Sequence, residues 1–500
     1  MVAATWLGCV TIWQNALHPP GDYATVDRSA PFLKAHLSNG DVLVLTRWTL
    51  SPEFQTVSGS GIRYDADRLP VQRGELSAAL PEVSLVETNE PHSVIRGDYI
   101  VLGVAAAATA GFGIFCATNP KACFGSCPTF YAEIDGRPRL LAEGFSASVA
   151  PSLEATDVDA LIELLPDGGP VVLTMVNEAL ETHWVRSVRL LAVPRPAGAR
   201  VYRSGDAYYP APATHPAISC RSPAGDCLPA VLGPDELEYQ SLASPEDLAA
   251  KEQLTLDFPD AGAGRRGIVV RARNTLLNTF VFYQALAFMG TRAADWLLLL
   301  EQGGEVAHRS YAALGELLGR IELDVSAGGG RWVHAGAFDE MGPIARDTQL
   351  VLLPGDLPPG PMRVRLTLTR GNWKVDWVAL AELGGPVKPR NVPLAAVQRD
   401  GEEDDHARAL LQGDAGHLVT LPGDRYVLRF APVPAGHELF LESRGYYVEW
   451  MRQEWLPDEN PERVVEIFTD PQLALRRMAP DYKRLEGSME QVFWQSKVGR

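Results

Sequence analysis

The stretch Leu33–Leu50, "LKAHLSNGDVLVLTRWTL", holds two alternating apolar and polar runs around the pair Asn39-Gly40. Alternation with a period of two is the mark of a strand with one buried face. Asn-Gly supplies the positive φ angles that a two-residue type I′ turn needs. The stretch therefore predicts a β-hairpin. The same logic returns downstream. "PTFYAEIDGRPRLLAEG" repeats it around Asp135-Gly136, and "GPVVLTMVNEALETHWVRSVRLLAV" gives two more β-rich runs.

Composition points the same way. The chain has 500 residues, with 45 Gly and 38 Pro, so many turns and short strands are expected, spread over several cores. Helical pattern concentrates in "NTFVFYQALAFMGTRAADWLLLLEQ", in "RSYAALGELLGR" and in the C-terminal "NPERVVEIFTDPQLALRRMAPDYKRLEGSMEQVFWQS". The expected fold is mainly β with α insertions. Five segments are predicted: a small N-terminal β domain over 1–97, a transmembrane or membrane-associated helix over 98–118, a β-rich domain with cysteine-containing loops over 119–250, a jelly-roll-like β-sandwich with a helical insertion over 251–385, and a linker with a C-terminal α+β segment over 386–500.

The segment 98–118 is singled out because Tyr99–Ala117 carries no charge over 19 residues. That length spans a hydrocarbon core. Gly103, Gly111 and Gly113 would weaken a helix in water but suit close packing between membrane helices. At the start of the chain, "WLGC" is similar to a bacterial lipoprotein cleavage site, which makes Cys9 a candidate for lipidation.

The formal net charge of −17 argues against a nucleic-acid partner, which would need a basic face to release phosphate counterions. Five of the six cysteines fall in "CATNPKACFGSC" and "CRSPAGDC". Cys220, Cys227, Cys123 and Cys127 are the candidate disulfide cysteines, in a connectivity the spacing leaves open, if the compartment is oxidising; free buried thiols are the alternative. Neither group has the paired spacing of a four-ligand zinc site.

No catalytic constellation assembles from the sequence. "GFSAS" misses the nucleophile elbow by one residue, and no phosphate loop, dinucleotide fingerprint or H-E-x-x-H motif is present. "GEEDDH" at 401–406 reads as a solvated charge run within a polar linker. Candidate catalytic, cofactor and metal residues are therefore none. The aromatic stretch "RGYYVEWMRQEW" offers Tyr446, Tyr447 and Trp450 as candidate partner contacts.

Two resemblances add to this. "SCPTFYAEIDGRPRLLAEGF", "ARNTL" at 272–276 and "LFLESRGYYVEWMRQEWL" resemble a broad group of bacterial envelope proteins with a lipoprotein-like cysteine, a small β domain and an apolar run. That likeness implies a place in the envelope and no defined activity. "GNWKVDWVALAEL" resembles the closing strand of galactose-binding-like β-sandwiches, which implies sugar-stacking roles for Trp332, Trp373 and Trp377.

The sequence is thus read as a non-catalytic, membrane-anchored envelope protein. Its large C-terminal part is expected in the periplasm, as a structural or accessory subunit of a larger membrane complex. Its partners would be the membrane and other membrane or envelope proteins. The alternatives are a carbohydrate-binding envelope protein and a glycan-active hydrolase with Asp376 and Glu382 among its carboxylates.

Overall fold

The computed structural model describes residues 9–65, 70–95, 127–302 (apart from 147, 150, 261 and 263) and 317–495 (apart from 329, 358, 414 and 415). The chain is mainly β, with most of the described helices packed in one cluster. The apolar run Tyr99–Ala117 lies outside the described residues. Among the described residues no helix is long and apolar enough to cross a membrane.

The N-terminal part is one antiparallel six-stranded sheet. Its strand order is Cys9–His18, Val83–Ile95, Leu33–Leu37, Val42–Ser51, Thr56–Tyr64, Pro70–Ala79. The hairpin forms with Leu33 opposite Leu45 and His36 opposite Val42. Its turn differs from the expected type I′. Only Gly40 has a positive φ, at 93°, and the Gly40 N–H donates to the Leu37 carbonyl. The loop is therefore three residues long, Ser38–Gly40, with the glycine in the left-handed position. At the second hairpin Asp135 (φ 53°) and Gly136 (φ 72°) both turn left-handed, and the two-residue turn forms as predicted.

Two β-sandwiches follow, and one is nested in the other. The outer sandwich faces a sheet of Glu402–Glu403, Leu394–Arg399, Arg425–Pro432, Pro170–Val176, Thr129–Ile134 and Arg137–Glu143 against a sheet of Arg390–Val392, Glu181–Pro194, His437–Glu449 and Ala155–Ala160. Phe130, Leu173, Leu190, Leu428, Phe430 and Leu441 meet in its core. The inner sandwich occupies the chain between those two halves. One sheet holds Ala213–Pro216, Trp373–Leu383, Arg265–Asn274 and Asp347–Leu352. The other holds Gly225–Asp226, Ser219–Ser222, Lys251–Phe258, Met362–Thr369, Ile321–Ser326 and Trp332–Phe338. Its core includes Leu256, Phe258, Ile268, Val364, Trp373 and Leu380. The inner sandwich thus takes in chain well ahead of position 251, and the outer one is completed by strands beyond position 386.

The stretch expected to be a polar linker is part of the outer sandwich. Leu394, Val397, Ala407, Leu410 and Leu411 are buried there. Asp404, read above as one of a solvated charge run, accepts the Ala407 N–H at 2.8 Å and caps a helix.

The described helices are α1 (Leu277–Met289), α2 (Ala293–Gln302), α3 (Asp405–Leu411), α4 (Pro461–Thr469), α5 (Pro471–Leu485) and α6 (Met489–Gln495). Helix α1 leaves the inner sandwich after Asn274. It is apolar nearly all round because α4, α5 and neighbouring segments cover it, with Phe280, Leu286, Ile467, Leu475 and Tyr482 in one cluster.

Candidate functional site

A cleft of about 1020 Å³ opens where the two sandwiches and α6 meet. Tyr131, Arg139, Glu163 and Thr174 come from the outer sandwich, and Arg271, Arg273 and Arg346 from the inner one. Glu490 and Trp494 reach it from α6.

The strand Arg265–Asn274 explains the arginines. Alternation turns Val270 and Ala272 into the inner core, so Arg271 and Arg273 face away from it. The outer sandwich and α6 cover that second face, which leaves both arginines buried. A β-bulge adjusts the partner strand. Arg271 pairs with Trp377 and Ala272 with Val375, so Asp376 is the extra residue. The bulge aims Asp376 at Arg271, with Arg271 Nη1 donating to Asp376 Oδ2 at 3.1 Å.

A continuous ion-pair network follows. Arg271 also pairs with Glu163. Arg139 donates to Glu163 at 3.2 Å and to Glu236 at 3.1 Å. Arg273 holds Glu238 with two bonds of 2.8 Å and Glu490 with one of 2.6 Å. Arg346 donates to Glu238 at 2.8 Å, and Lys374 pairs with Glu490. Burial works against the Glu490 charge, but Arg273 and Lys374 outweigh it and hold that carboxyl at about 2. Burial likewise opposes the Glu238 charge, and Arg273, Arg346 and Lys374 keep it below the usual range. Paired guanidinium and carboxylate groups of this kind give geometric specificity.

A second polar seam joins the sandwiches. Glu143 Oε2 accepts from the Ile344 and Ala345 amides at 2.7 and 3.2 Å. Gly342 lets that loop pass, since its φ is +79° and a Cβ there would stand 2.6 Å from Glu143 Oε2. Nearby, burial and then the adjacent Asp347 push Asp157 up to about 6. Burial and the neighbours Asp157, Asp347 and Glu143 push Asp159 well above the carboxylate range. Among the described residues no group of three or more His, Cys, Asp or Glu is arranged to hold a metal ion.

The aromatics expected at contact surfaces are mostly core. Trp373 is 1% exposed in the inner core. Trp377 sits on the opposite face of its strand, because the bulge at Asp376 breaks the alternation, and it packs half-buried on Tyr202. Trp332 lies in the other sheet of the inner sandwich, under the Arg365 guanidinium at 4.6 Å. The three tryptophans therefore form no common stacking platform. Tyr446 is buried and stacks on Trp184 at 5.8 Å. Tyr447 is buried in the outer core and donates to the Ser146 carbonyl at 3.2 Å. Trp450, fully buried, packs against Val42, Val44 and Tyr64 of the N-terminal sheet.

Asp376 and Glu382, offered as hydrolase carboxylates, serve separate pairs. Asp376 is bound to Arg271, and Glu382 lies 2.8 Å from His215. Cys220 and Cys227 form a disulfide. Cys127, one of the candidate disulfide cysteines, is instead a free thiol buried in the outer core. Cys123 lies outside the described residues. Cys9 opens the first strand, opposite Ile95.

Arg271, Arg273, Glu238 and Glu490 escaped the sequence reading. The available signal was "VVRAR", a strand with one apolar face and two arginines on the other. Such a face normally reads as solvent-exposed; only the nesting of the sandwiches buries it.

No family model matches the chain, and no curated protein matches it. Among solved structures, a GH31 alpha-xylosidase from Xanthomonas citri aligns at 10% identity and a TM-score of 0.16, over 86% of this chain and 38% of its own. This chain thus spans well under half of that enzyme's length. A secreted serine protease from Vibrio cholerae aligns at 6% identity and a TM-score of 0.16, over 75% of this chain and 99% of its own. Similarity at that level carries no argument about fold or activity.

Proposed function

We propose that this chain is a non-catalytic, membrane-anchored protein of the bacterial envelope. In this reading it is a structural or accessory subunit of a larger membrane complex, with its bulk on the periplasmic side. The observation that carries the proposal is the use to which the chain puts its charges. Arg271 and Arg273 take carboxylates from three regions, Glu163, Asp376 with Glu238, and Glu490. That pattern ties sandwiches and C-terminal helices into one rigid body, as a spacer or docking platform requires.

The N-terminal sheet belongs to the same body through Trp450. The apolar run Tyr99–Ala117 is bounded by that sheet and by the outer sandwich, so an anchor there would hold the whole body at the membrane. The test is fractionation of native envelopes followed by an alkaline wash and native electrophoresis in mild detergent. Retention through the wash, with a native mass well above 54.4 kDa, is the expected result. Release by alkali as a single chain would contradict it.

A further inference from the structure

Arg273 lines the cleft and its ladder partner Lys374, outside the lining, adds a second cation beside it. Arg273 and Lys374 face each other across the ladder, with side chains 8% and 11% exposed. For these two cations the sandwiches supply one carboxylate, Glu238, which Arg346 shares. Three cations sharing one carboxylate leave two of them short of a partner, which favours a second anion. In this structure Glu490 of α6 provides it, with one oxygen on Arg273 and the other on Lys374.

The device that delivers Glu490 is slight. Helix α6 has seven residues, too few to persist without tertiary support. Met489 and Phe493 anchor it in the helical cluster, while the Glu490 side chain remains 36% exposed on the cleft side. Trp494, half-buried, lines the same cleft.

We propose that Arg273 and Lys374 form a carboxylate-binding subsite for an acidic sugar, and that Glu490 occupies it as a built-in competitor. The walls fit that class of ligand. Trp494 offers an aromatic plate for the C–H face of a sugar ring. Glu163 and Glu236, each paired with Arg139, and the Tyr131 hydroxyl, bonded to Glu178, form the polar part of the same wall. A ligand carboxylate entering the cleft takes over the cation pair and displaces only the Glu490 side chain, while Met489 and Phe493 keep α6, and Trp494 with it, in place. The inference stands independently of the docking role proposed above.

The test is calorimetric titration of the full chain at low salt with glucuronate, glucose and glutarate. Glu490→Gln keeps the side-chain size and removes the competing charge. Its glucuronate affinity should rise about tenfold over the unmodified chain, as expected when an internal competitor is removed. Glucose binding should not change, and adding Trp494→Ala should abolish the gain. No gain in glucuronate affinity, in a Glu490→Gln protein with an intact melting transition, would overturn the proposal. An equal gain for glutarate, which has no ring for Trp494, would overturn the sugar assignment. If Glu490→Gln does not fold, Glu490→Asp, whose shorter reach weakens the competitor, carries the same comparison.

Discussion

Asp347 of the inner sandwich accepts a 3.0 Å hydrogen bond at Oδ1 from the Ala160 amide of the outer one. Glu143 returns the arrangement by accepting the Ile344 and Ala345 amides. Each sandwich thus lends a buried carboxylate to the backbone of the other. Asp157 and Asp159 crowd the same seam, and Arg203 is the cation that faces them.

The seam sets a pH dependence. Burial raises Asp157, Asp159 and Asp347 above their unfolded values. Stability from a raised carboxyl is complete below its unfolded pKa, near 4, and is lost as pH climbs through the folded value. For Asp157 that loss runs from its unfolded value and is complete by about 6. Glu490 has the opposite sign: its contribution is present above about 4.5 and fades as pH falls toward 2. The melting temperature should therefore peak at about pH 4 to 4.5 and fall toward pH 7. Asp159→Asn should flatten that fall and add about 1–3 kcal/mol at pH 7, read by chemical denaturation.

Trp450 latches the N-terminal sheet. Its ring lies edge-on to Tyr64, 6.1 Å between centroids, and Lys34 Nζ sits 4.8 Å above it. Its Nε1 donates to Thr182 Oγ1 at 2.9 Å, and the Tyr64 hydroxyl donates to the Pro422 carbonyl. Trp450→Ala should cost about 3–5 kcal/mol. Limited proteolysis should then release the N-terminal sheet before the sandwiches are cut.

The Cys220–Cys227 bridge closes a ring with a sequence separation of 7 at the edge of the inner sandwich. Chain-entropy reasoning gives about 2–3 kcal/mol for a loop of that size. Cys220→Ser with Cys227→Ser should lower the urea midpoint accordingly. Reductant should lower the midpoint of the unmodified chain and leave that of the double variant alone.

Trp373 and Trp332 separate a core role from a surface one. Trp373→Ala removes a fully buried indole and should cost about 3–5 kcal/mol. Trp332→Ala removes an indole covered by Arg365 and should cost at most about 1 kcal/mol. Thermal melts of the two variants side by side check this.

Local features were legible in the sequence. Alternation around Asp135-Gly136 gave the turn, and the apolar stretch at Asn278–Gln302 gave α1 and α2. Topology was not legible. Strands at Thr129–Ile134 and Arg425–Pro432 share a sheet across almost 300 residues because Pro170–Val176 pairs with both, a relation no local pattern encodes. The same limit hid the cleft. Arg271 and Arg273 look like solvent-facing residues until the outer sandwich and α6 are placed over them. Of Tyr446, Tyr447 and Trp450, only Trp450 meets another part of the chain, the N-terminal sheet, while the two tyrosines pack within the outer sandwich. The bulge that puts Trp377 on the face opposite Trp373 is a single extra residue, invisible to period-two alternation.

The central claim is that this chain works as one rigid part of a larger membrane assembly. The most direct measurement is to tag the chromosomal copy, solubilise native membranes in mild detergent, and weigh the purified particle while identifying its contents by mass spectrometry. The account predicts a particle holding this chain and at least one integral membrane protein in fixed ratio. Recovery of the chain alone, at the same yield from membranes of cells at every growth stage, would contradict it.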